Sequence, residues 1–190
     1  MVAKETPFAK RARVKKPLDQ ARLEEMALGY VARYATSGAK LAAYLQRKIR
    51  ERGWAEDSEE VDIAALVERY RKLGYVDDAG FAKARAGDLI RRGYGPRRVE
   101  QALRAAGIDE SIREDAAANE IAARGAAVQF ARRRRFGPFG DPVDLKTREK
   151  HVAAMVRAGH SFDAVTAVLD AASEEEVAEW VAEAEGYNDE

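Results

Sequence analysis

The sequence contains no cysteine and only two histidines. The absence of cysteine excludes disulfides, thiol nucleophiles and zinc–cysteine sites, and it suits a reducing compartment. His151 and His160 have no nucleophile or metal-ligand partner at a useful spacing, so both are predicted to be structural. We therefore predict no catalytic residue, no metal site and no cofactor.

Long apolar runs and nucleotide-binding loops are also missing. No stretch of about 18 apolar residues is present, and no hydrophobic segment follows the basic N-terminus as it would in a signal peptide. The stretch Gly93-Tyr94-Gly95-Pro96 lacks the lysine and the spacing of a Walker loop. The sequence predicts a non-enzymatic, cytoplasmic protein with no membrane segment.

The charge of the chain is balanced overall but uneven along its length. Thirty-three basic residues oppose 33 acidic ones, yet residues 1–17 are strongly basic and residues 173–190 contain no Lys or Arg. We predict a flexible basic arm at 1–17, able to lie along phosphates, and an acidic C-terminal helix and tail at 173–190 that would repel them. The alternative is that both ends are simply solvated and frayed.

Apolar residues recur at steps of three and four, and no segment alternates convincingly like a strand, so the predicted fold class is all-α. The third helix is predicted to begin at Asp57 or Ser58, the sixth to weaken at Gly125, and the seventh to run from about 126 to 136. Other predicted helix starts fall at Ser37, Asp77 or Asp78, Pro96, Asp109, Ser161 and Ser173.

Helix-ending glycines recur at a nearly constant interval. Gly53, Gly107 and Gly159 are 54 and 52 residues apart, and a large apolar residue stands four places before each. Self-similarity of this kind is typical of stacked modules, although three near-equal gaps could also arise by chance. We predict an elongated array of tandem three-helix repeats, covering 18–76, 77–125 and 126–172.

The first basic site lies at a predicted helix start. Arg97 and Arg98 follow Gly95-Pro96, and Arg91 and Arg92 stand just upstream. Free backbone N–H groups and guanidinium groups together suit a phosphate, whose charge would also relieve the unfavourable placement of cations at a helix N-terminus. The alternative is a solvated basic turn whose arginines pair with Glu100 or Asp88.

The second basic site is the run Arg132, Arg133, Arg134 and Arg135, flanked by phenylalanines. Four consecutive arginines are predicted to cover a full helical turn, so they cannot all pair with one acidic face. Such a cluster is typical of proteins that follow a nucleic-acid backbone. The neighbouring aromatic rings are expected to belong to the core.

Three stretches of this sequence resemble the RecX family of recombination regulators. They are GYVDDAGFAKAR at 74–85, RRGYGPRRVEQALRAAGI at 91–108 and FARRRRFGPF at 130–139. The resemblance extends more loosely over about 18–172 and leaves the basic arm and the acidic tail uncovered. It implies tandem three-helix repeats.

The resemblance also implies a protein that binds RecA filaments and single- or double-stranded DNA. We expect the protein itself to be a monomer. In that family, binding reduces filament extension, ATP hydrolysis, strand exchange and the SOS co-protease activity. Two alternatives stay open: a general DNA-binding helical module with no recombinase partner, and a plain helical interaction scaffold. The eight arginines of the two basic sites are expected to face DNA or the filament.

Overall fold

Helices form nearly all of the regular structure in the computed structural model, which describes residues 16–56 and 61–184. Within these ranges the one extended pairing is a single bridge between Leu18 and Trp54, which confirms the predicted all-α class. None of the described helices is long and apolar enough to cross a membrane. The helices are α1 (Gln20–Val31), α2 (Gly38–Arg52), α3 (Ile63–Lys72), α4 (Asp78–Arg91), α5 (Pro96–Ala105), α6 (Glu110–Asp115), α7 (Glu120–Arg134), a 3-10 turn (Gly137–Phe139), α8 (Leu145–Arg157), α9 (Phe162–Asp170) and α10 (Glu174–Glu183).

Short polar side chains cap four of these helices at positions that the sequence predicted. Ser37, Asp77, Ser161 and Ser173 each accept a hydrogen bond from the backbone N–H three residues later. Such a bond satisfies one of the N–H groups that a helix start leaves without a partner. Asp109 occupies the same position before α6, but its side chain makes no capping bond.

The predicted start of the third helix is wrong. α3 begins at Ile63, and its cap is Asp62, whose carboxylate accepts from the N–H of Ala65 at 2.9 Å. Asp57 and Ser58, the predicted caps, lie outside the described residues. Asp62 caps the helix because it stands directly before the apolar stripe that the helix buries.

The predicted break at Gly125 is also wrong. α7 runs without interruption from Glu120 to Arg134, and Asn119 caps it by accepting from the N–H of Ala122. A glycine inside a helix costs only about 1 kcal/mol relative to alanine, and the alanines around it favour the helix. α7 thus passes through the predicted boundary between the second and third repeats.

Three hydrophobic clusters follow one another along the chain. The first is built from α1 to α3, the second from α4 to α6, and the third from α7 to α10 with the 3-10 turn. This confirms an all-α array of three-helix repeats, with α10 added to the last through buried Val177. The limits 18–76, 77–125 and 126–172 themselves stay predictions. Leu41 and Leu45 centre the first cluster, Val99 and Leu103 the second, Met155 and Val165 the third.

The recurring glycines end the middle helix of each cluster. Gly53, Gly107 and Gly159 follow α2, α5 and α8 and have φ values of 77°, 68° and 97°. This left-handed conformation is one that glycine adopts without the steric penalty of a Cβ atom. The periodic signal in the sequence therefore has a direct structural cause.

The first and second clusters meet where the start of α2 lies against the turn after α5. The Ser37 hydroxyl donates to the Ala106 carbonyl at 2.6 Å, and the Gly38 N–H donates to Asp78 at 2.9 Å. A Cβ atom on Gly107 would lie only 2.3 Å from the Cβ of Ala39. We call this contact the first joint.

The second and third clusters meet in the equivalent way, with the start of α5 against the turn after α8. The N–H groups of Gly95 and Arg97 donate to the carbonyls of Ala158 and Gly159 at 2.9 and 3.1 Å. A Cβ atom on Gly159 would lie 2.4 Å from the nitrogen of Arg98. We call this contact the second joint.

Candidate nucleic-acid interface

The two predicted basic sites meet where the end of α4 lies against α7, next to the second joint. Arg91 and Arg92 end α4, whereas α7, which ends at Arg134, crosses α4 near Gly93. The Arg133 guanidinium donates to the carbonyl of Arg92 at 3.1 Å, and a Cβ on Gly93 would lie 3.2 Å from the nitrogen of Phe130. Stretches 40 residues apart in sequence thus become neighbours. The arginine surface comprises Arg91, Arg92, Arg97, Arg98, Arg132, Arg133, Arg134 and Arg135.

All eight side chains of the arginine surface are exposed. Arg92 lies 3.5 Å from the Asp88 carboxylate, and Arg132 lies 2.9 Å from that of Glu174. The other six form no ion pair with any residue in the described ranges. Because exposed pairs are weak and easily exchanged, the region keeps a strong excess of positive charge.

The alternative interpretation, a basic turn neutralised by Asp88 or Glu100, holds only for Arg92. Glu100 is instead engaged by Arg104 at 3.1 Å and by Arg113 at 2.9 Å. Arg97 and Arg98 therefore keep their guanidinium groups available to an external anion.

One feature of the predicted phosphate site is wrong: the start of α5 does not offer free backbone N–H groups. The N–H groups of Gly95 and Arg97 are taken by the carbonyls of Ala158 and Gly159 in the turn that ends α8, and that of Arg98 bonds back to Gly95. The negative end of α8 thus occupies the place expected for an anion. Only side chains at this helix start remain to contact a phosphate.

The end of α7 holds its arginines against aromatic rings. The Arg132 guanidinium lies 4.9 Å from the centre of the Phe139 ring, and that of Arg134 lies 5.1 Å from the Phe130 ring. Both rings are half-buried and pack on the third cluster, as the sequence predicted. Cation–π contacts of this kind restrict the guanidinium groups without neutralising their charge.

Arg135 corrects the prediction that all four consecutive arginines share a helical turn. It leaves the helix in the left-handed conformation, with φ of 56° and ψ of 48°, and it is the one non-glycine residue with positive φ within the described ranges. A side chain held this way costs of order 1 kcal/mol or more. The strained residue lies in the arginine surface.

The two histidines make structural contacts, and the described residues contain no group of three potential metal ligands. His160 is only 1% exposed, and its Nε2 donates to the Gly93 carbonyl at 3.1 Å across the second joint. Burial lowers the pKa of His160, with a smaller opposing contribution from the Gly93 bond. His151 stacks on Phe136 with ring centres 3.8 Å apart, and burial lowers its pKa also.

A further concentration of aromatic and basic side chains lies between α1 and α2, and sequence reasoning missed it. Tyr30 and Tyr44 stack there with ring centres 4.2 Å apart, next to Arg47 and Lys48. Because Tyr30 and Tyr44 recur at helical spacing with the apolar residues around them, the sequence pattern alone predicts that they belong to the inner faces of their helices. The available signal was the placement of two cations three and four residues after Tyr44.

Comparison with known proteins gives concordant results. Residues 77–116, which cover α4 to α6, match the family model described as "RecX, second three-helix domain". The regulatory protein RecX of Myxococcus xanthus is 30% identical over 157 residues, which cover 78% of this chain and 84% of that protein. The RecX protein of Stenotrophomonas maltophilia is 32% identical over 156 residues, covering 80% and 88% of the two chains.

Solved structures show the same fold. The crystal structure of RecX from Lactobacillus salivarius superposes with a TM-score of 0.58 at 18% identity, over 79% of this chain and 94% of that one. A second RecX crystal structure gives 0.60 at 21% identity, over 80% and 72%. The resemblance predicted from three sequence stretches is thereby confirmed, and this chain belongs to the RecX family of regulatory proteins.

Proposed function

We propose that this protein is a non-enzymatic regulator that binds RecA recombinase filaments on DNA and inhibits them. The inhibited activities are filament extension, ATP hydrolysis, strand exchange and the SOS co-protease reaction. Family membership supports the regulatory role, and the arginine surface supports a polyanionic partner. The proposal rests most directly on six exposed guanidinium groups that no described carboxylate neutralises.

The second joint gives the arginine surface a fixed geometry. Arg97 and Arg98 stand on a helix start held by two backbone hydrogen bonds to the next repeat, while Arg133 is tied to the carbonyl of Arg92. Binding groups that are already positioned lose less conformational entropy when a ligand arrives. An array with its cations at a joint suits a long, repeating polyanion such as DNA within a filament.

Inhibition requires only unequal affinity for two states of the filament. A ligand shifts an equilibrium by the difference between its affinities for the two states. A protein that binds the inactive or non-growing filament more tightly would therefore reduce every activity of the growing one together. No chemical step on the regulator is needed.

RecA-dependent ATP hydrolysis on single-stranded DNA, titrated with this protein, tests the proposal. We expect hydrolysis to fall as the protein is added. The fractional inhibition, measured against RecA alone at each salt concentration, should shrink as salt is raised, since released counterions drive phosphate binding. DNA binding without any effect on hydrolysis would instead favour the general DNA-binding module. If the protein neither binds DNA nor inhibits hydrolysis, the remaining alternative is a helical interaction scaffold.

The double variant Arg97→Ala/Arg98→Ala tests the arginine surface. We expect weaker DNA and filament binding, and a slope of log affinity against log salt that is smaller by roughly 1 to 1.5 on single strands. The matched control is Arg85→Ala/Arg104→Ala, which removes the same charge from exposed arginines already paired with helical carboxylates. Equal affinity and equal slope in the two double variants would contradict a phosphate role for Arg97 and Arg98.

A further inference from the structure

A groove between α1 and α2 in the first repeat combines aromatic faces with positive charge. Its volume is about 570 Å³, within the range of roughly 300 to 1,000 Å³ common for ligand sites. Three tyrosines and three cations border it: Tyr30, Tyr34, Tyr44, Arg33, Arg47 and Lys48. We call it the tyrosine groove, and it is separate from the arginine surface of the second and third repeats.

The three tyrosine rings of the groove contact one another in a row, and the last ring, that of Tyr34, is exposed to solvent. Tyr30 and Tyr44 are nearly parallel, at 17°, with ring centres 4.2 Å apart. Tyr34 leans on Tyr30 at 5.3 Å and 49°, and 57% of its surface is exposed. Tyr30 and Tyr44 also pack against the first cluster, whereas Tyr34 does not belong to it. The free ring of Tyr34 therefore has no structural role in the cluster and extends an aromatic platform into solvent.

The cations of the tyrosine groove outnumber the carboxylate that faces them. Arg47 and Lys48 share Glu51, at 3.6 and 2.7 Å, and both lie over the Tyr44 ring at 5.6 and 5.7 Å. Arg33 is exposed and makes no ion pair in the parts of the chain that the structure describes. The groove thus keeps a net positive charge next to its aromatic platform.

Gly29 is an exposed residue that lines the groove. It lies inside α1, where glycine costs roughly 0.5 to 1 kcal/mol relative to alanine, and its φ is not in the left-handed region. A Cβ atom built on it would meet no atom within 4 Å. Packing therefore does not require glycine at this position, but any larger side chain would enter the groove.

We propose that the tyrosine groove binds unpaired bases of single-stranded nucleic acid, with a base stacked on Tyr34 and the phosphates drawn by Arg33, Arg47 and Lys48. Aromatic platforms beside a basic track are the common construction of sequence-tolerant single-strand sites. An acidic peptide would engage the cations but leave the tyrosine faces unused. The inference deepens the proposed function, on which it rests, by adding a base-contacting site in a different repeat.

Binding of two oligonucleotides of equal length separates the two sites. One is an ordinary thymidine strand and the other is fully abasic, so the phosphates are the same and only the bases differ. Because stacking on an aromatic ring is worth about tenfold or more in affinity per base, the full-length protein should bind the ordinary strand at least tenfold more tightly. Fluorescence anisotropy of end-labelled strands measures both affinities.

Three variants locate the base preference. Tyr34→Ala removes the exposed ring, and Gly29→Leu fills the groove while every tyrosine and cation stays. Both should bind the two strands almost equally. Tyr34→Phe keeps the ring and should retain the preference of the original protein. Far-UV circular dichroism checks that each variant keeps its helices, which the exposure of both positions favours.

The outcomes distinguish this inference from the proposed function. The proposal that the tyrosine groove binds bases is overturned if the original protein binds the two strands equally. It is also overturned if Tyr34→Ala and Gly29→Leu keep the preference for the ordinary strand. The Arg97→Ala/Arg98→Ala variant should weaken binding of both strands equally and keep the base preference. If polyglutamate competes for the groove as well as the thymidine strand does, the groove is an acidic-protein site instead. The RecA hydrolysis assay judges the regulatory role separately.

Discussion

The first and second joints use the same backbone placement but different chemistry. In each, the start of a middle helix meets the turn that ends the next middle helix, at Gly107 in one case and Gly159 in the other. The first joint is held by side chains: the Ser37 hydroxyl reaches the Ala106 carbonyl, and Asp78 accepts from Gly38 and from Arg71 at 2.8 Å. The second is held by backbone N–H groups and one buried histidine.

This difference shows that a repeat architecture can preserve a contact while its residues change. The second joint depends on the absence of side chains, because Gly95 and Gly159 approach so closely that a Cβ on either would lie 2.4 Å from backbone atoms. At the first joint the close neighbour is a side chain, because a Cβ on Gly107 would lie 2.3 Å from the Cβ of Ala39. The joint in which backbone meets backbone is the one that carries the arginine surface, where a fixed position of the cations matters most.

The largest expected effect comes from Gly159→Ala. The new methyl group would meet the backbone of Arg98 and would also occupy a left-handed conformation, so we expect a loss of roughly 3 kcal/mol in the free energy of unfolding. Urea denaturation measures it. Gly74→Ala is the matched control, because its φ is also positive and it ends its helix with the same pair of backbone bonds, but nothing lies within 4 Å of the new atom, and about 1 kcal/mol should be lost. Equal losses would show that the second joint does not depend on this close approach.

A smaller effect is expected from Ser37→Ala. Ser37 is fully buried, caps α2 and donates to Ala106 across the first joint, so its loss should cost about 2 kcal/mol. Ser161→Ala removes the same capping bond from α9 without any bond between repeats, and should cost about 1 kcal/mol. Thermal unfolding of both variants gives the difference. If Ser161→Ala costs as much, the hydroxyl of Ser37 contributes nothing to the joint.

The smallest expected effect is a weakening of the second joint in acid. Burial lowers the pKa of His160, so the unfolded chain binds its proton more readily than the folded one. The contribution of neutral His160 to the free energy of unfolding is therefore complete above the usual histidine pKa of 6.5. It should decrease as the pH falls from 6.5 toward the lower pKa that His160 has in the folded state. The effect is limited because the Nε2–H bond to Gly93 survives protonation, and only the buried charge and the Nδ1 proton are left without a partner.

Denaturation at a series of pH values measures this loss, with His160→Gln as the comparison. The variant should lose less stability in acid. It should retain the dependence contributed by His151, whose pKa is also lowered, and, at lower pH, by carboxylates of lowered pKa such as Glu24. A smaller protection factor for exchange of the Arg97 amide hydrogen below pH 6.5, relative to its intrinsic rate at each pH, would place the effect at the second joint. The same acid sensitivity in His160→Gln would rule out His160 as its source.

The helix starts and the repeat show what local chemistry can reveal. Ser37, Asp77, Ser161 and Ser173 cap helices because a short polar side chain reaches its own backbone three residues on, and this depends on no distant residue. The start of α3 was missed because several acidic residues in sequence could serve as its cap. The predicted break at Gly125 was wrong because the cost of a glycine inside a helix, about 1 kcal/mol, is outweighed by the helical preference of the residues around it.

The candidate site was predictable in composition but not in geometry. Arg132 to Arg135 stand out as a charge run, yet nothing local indicates that Arg133 contacts Arg92 or that Arg135 leaves the helix. The free N–H groups expected at Arg97 are occupied because the turn after α8 supplies the carbonyls of Ala158 and Gly159, which are distant in sequence. The helical spacing of Tyr30, Tyr34 and Tyr44 would be the same in a hydrophobic core and beside an open groove, so the sequence pattern could not distinguish the two.

By itself the sequence determined the all-α class, the glycine-punctuated repeat and the family, because helix periodicity, capping and left-handed turns are encoded within a few residues. Only the tertiary structure decided which helix start packs against which turn, and which arginines form no ion pair with a carboxylate. It also decided that three tyrosines border a solvent-accessible groove. Those outcomes depend on how separate helices pack, and packing joins residues whose separation along the chain carries no local signal.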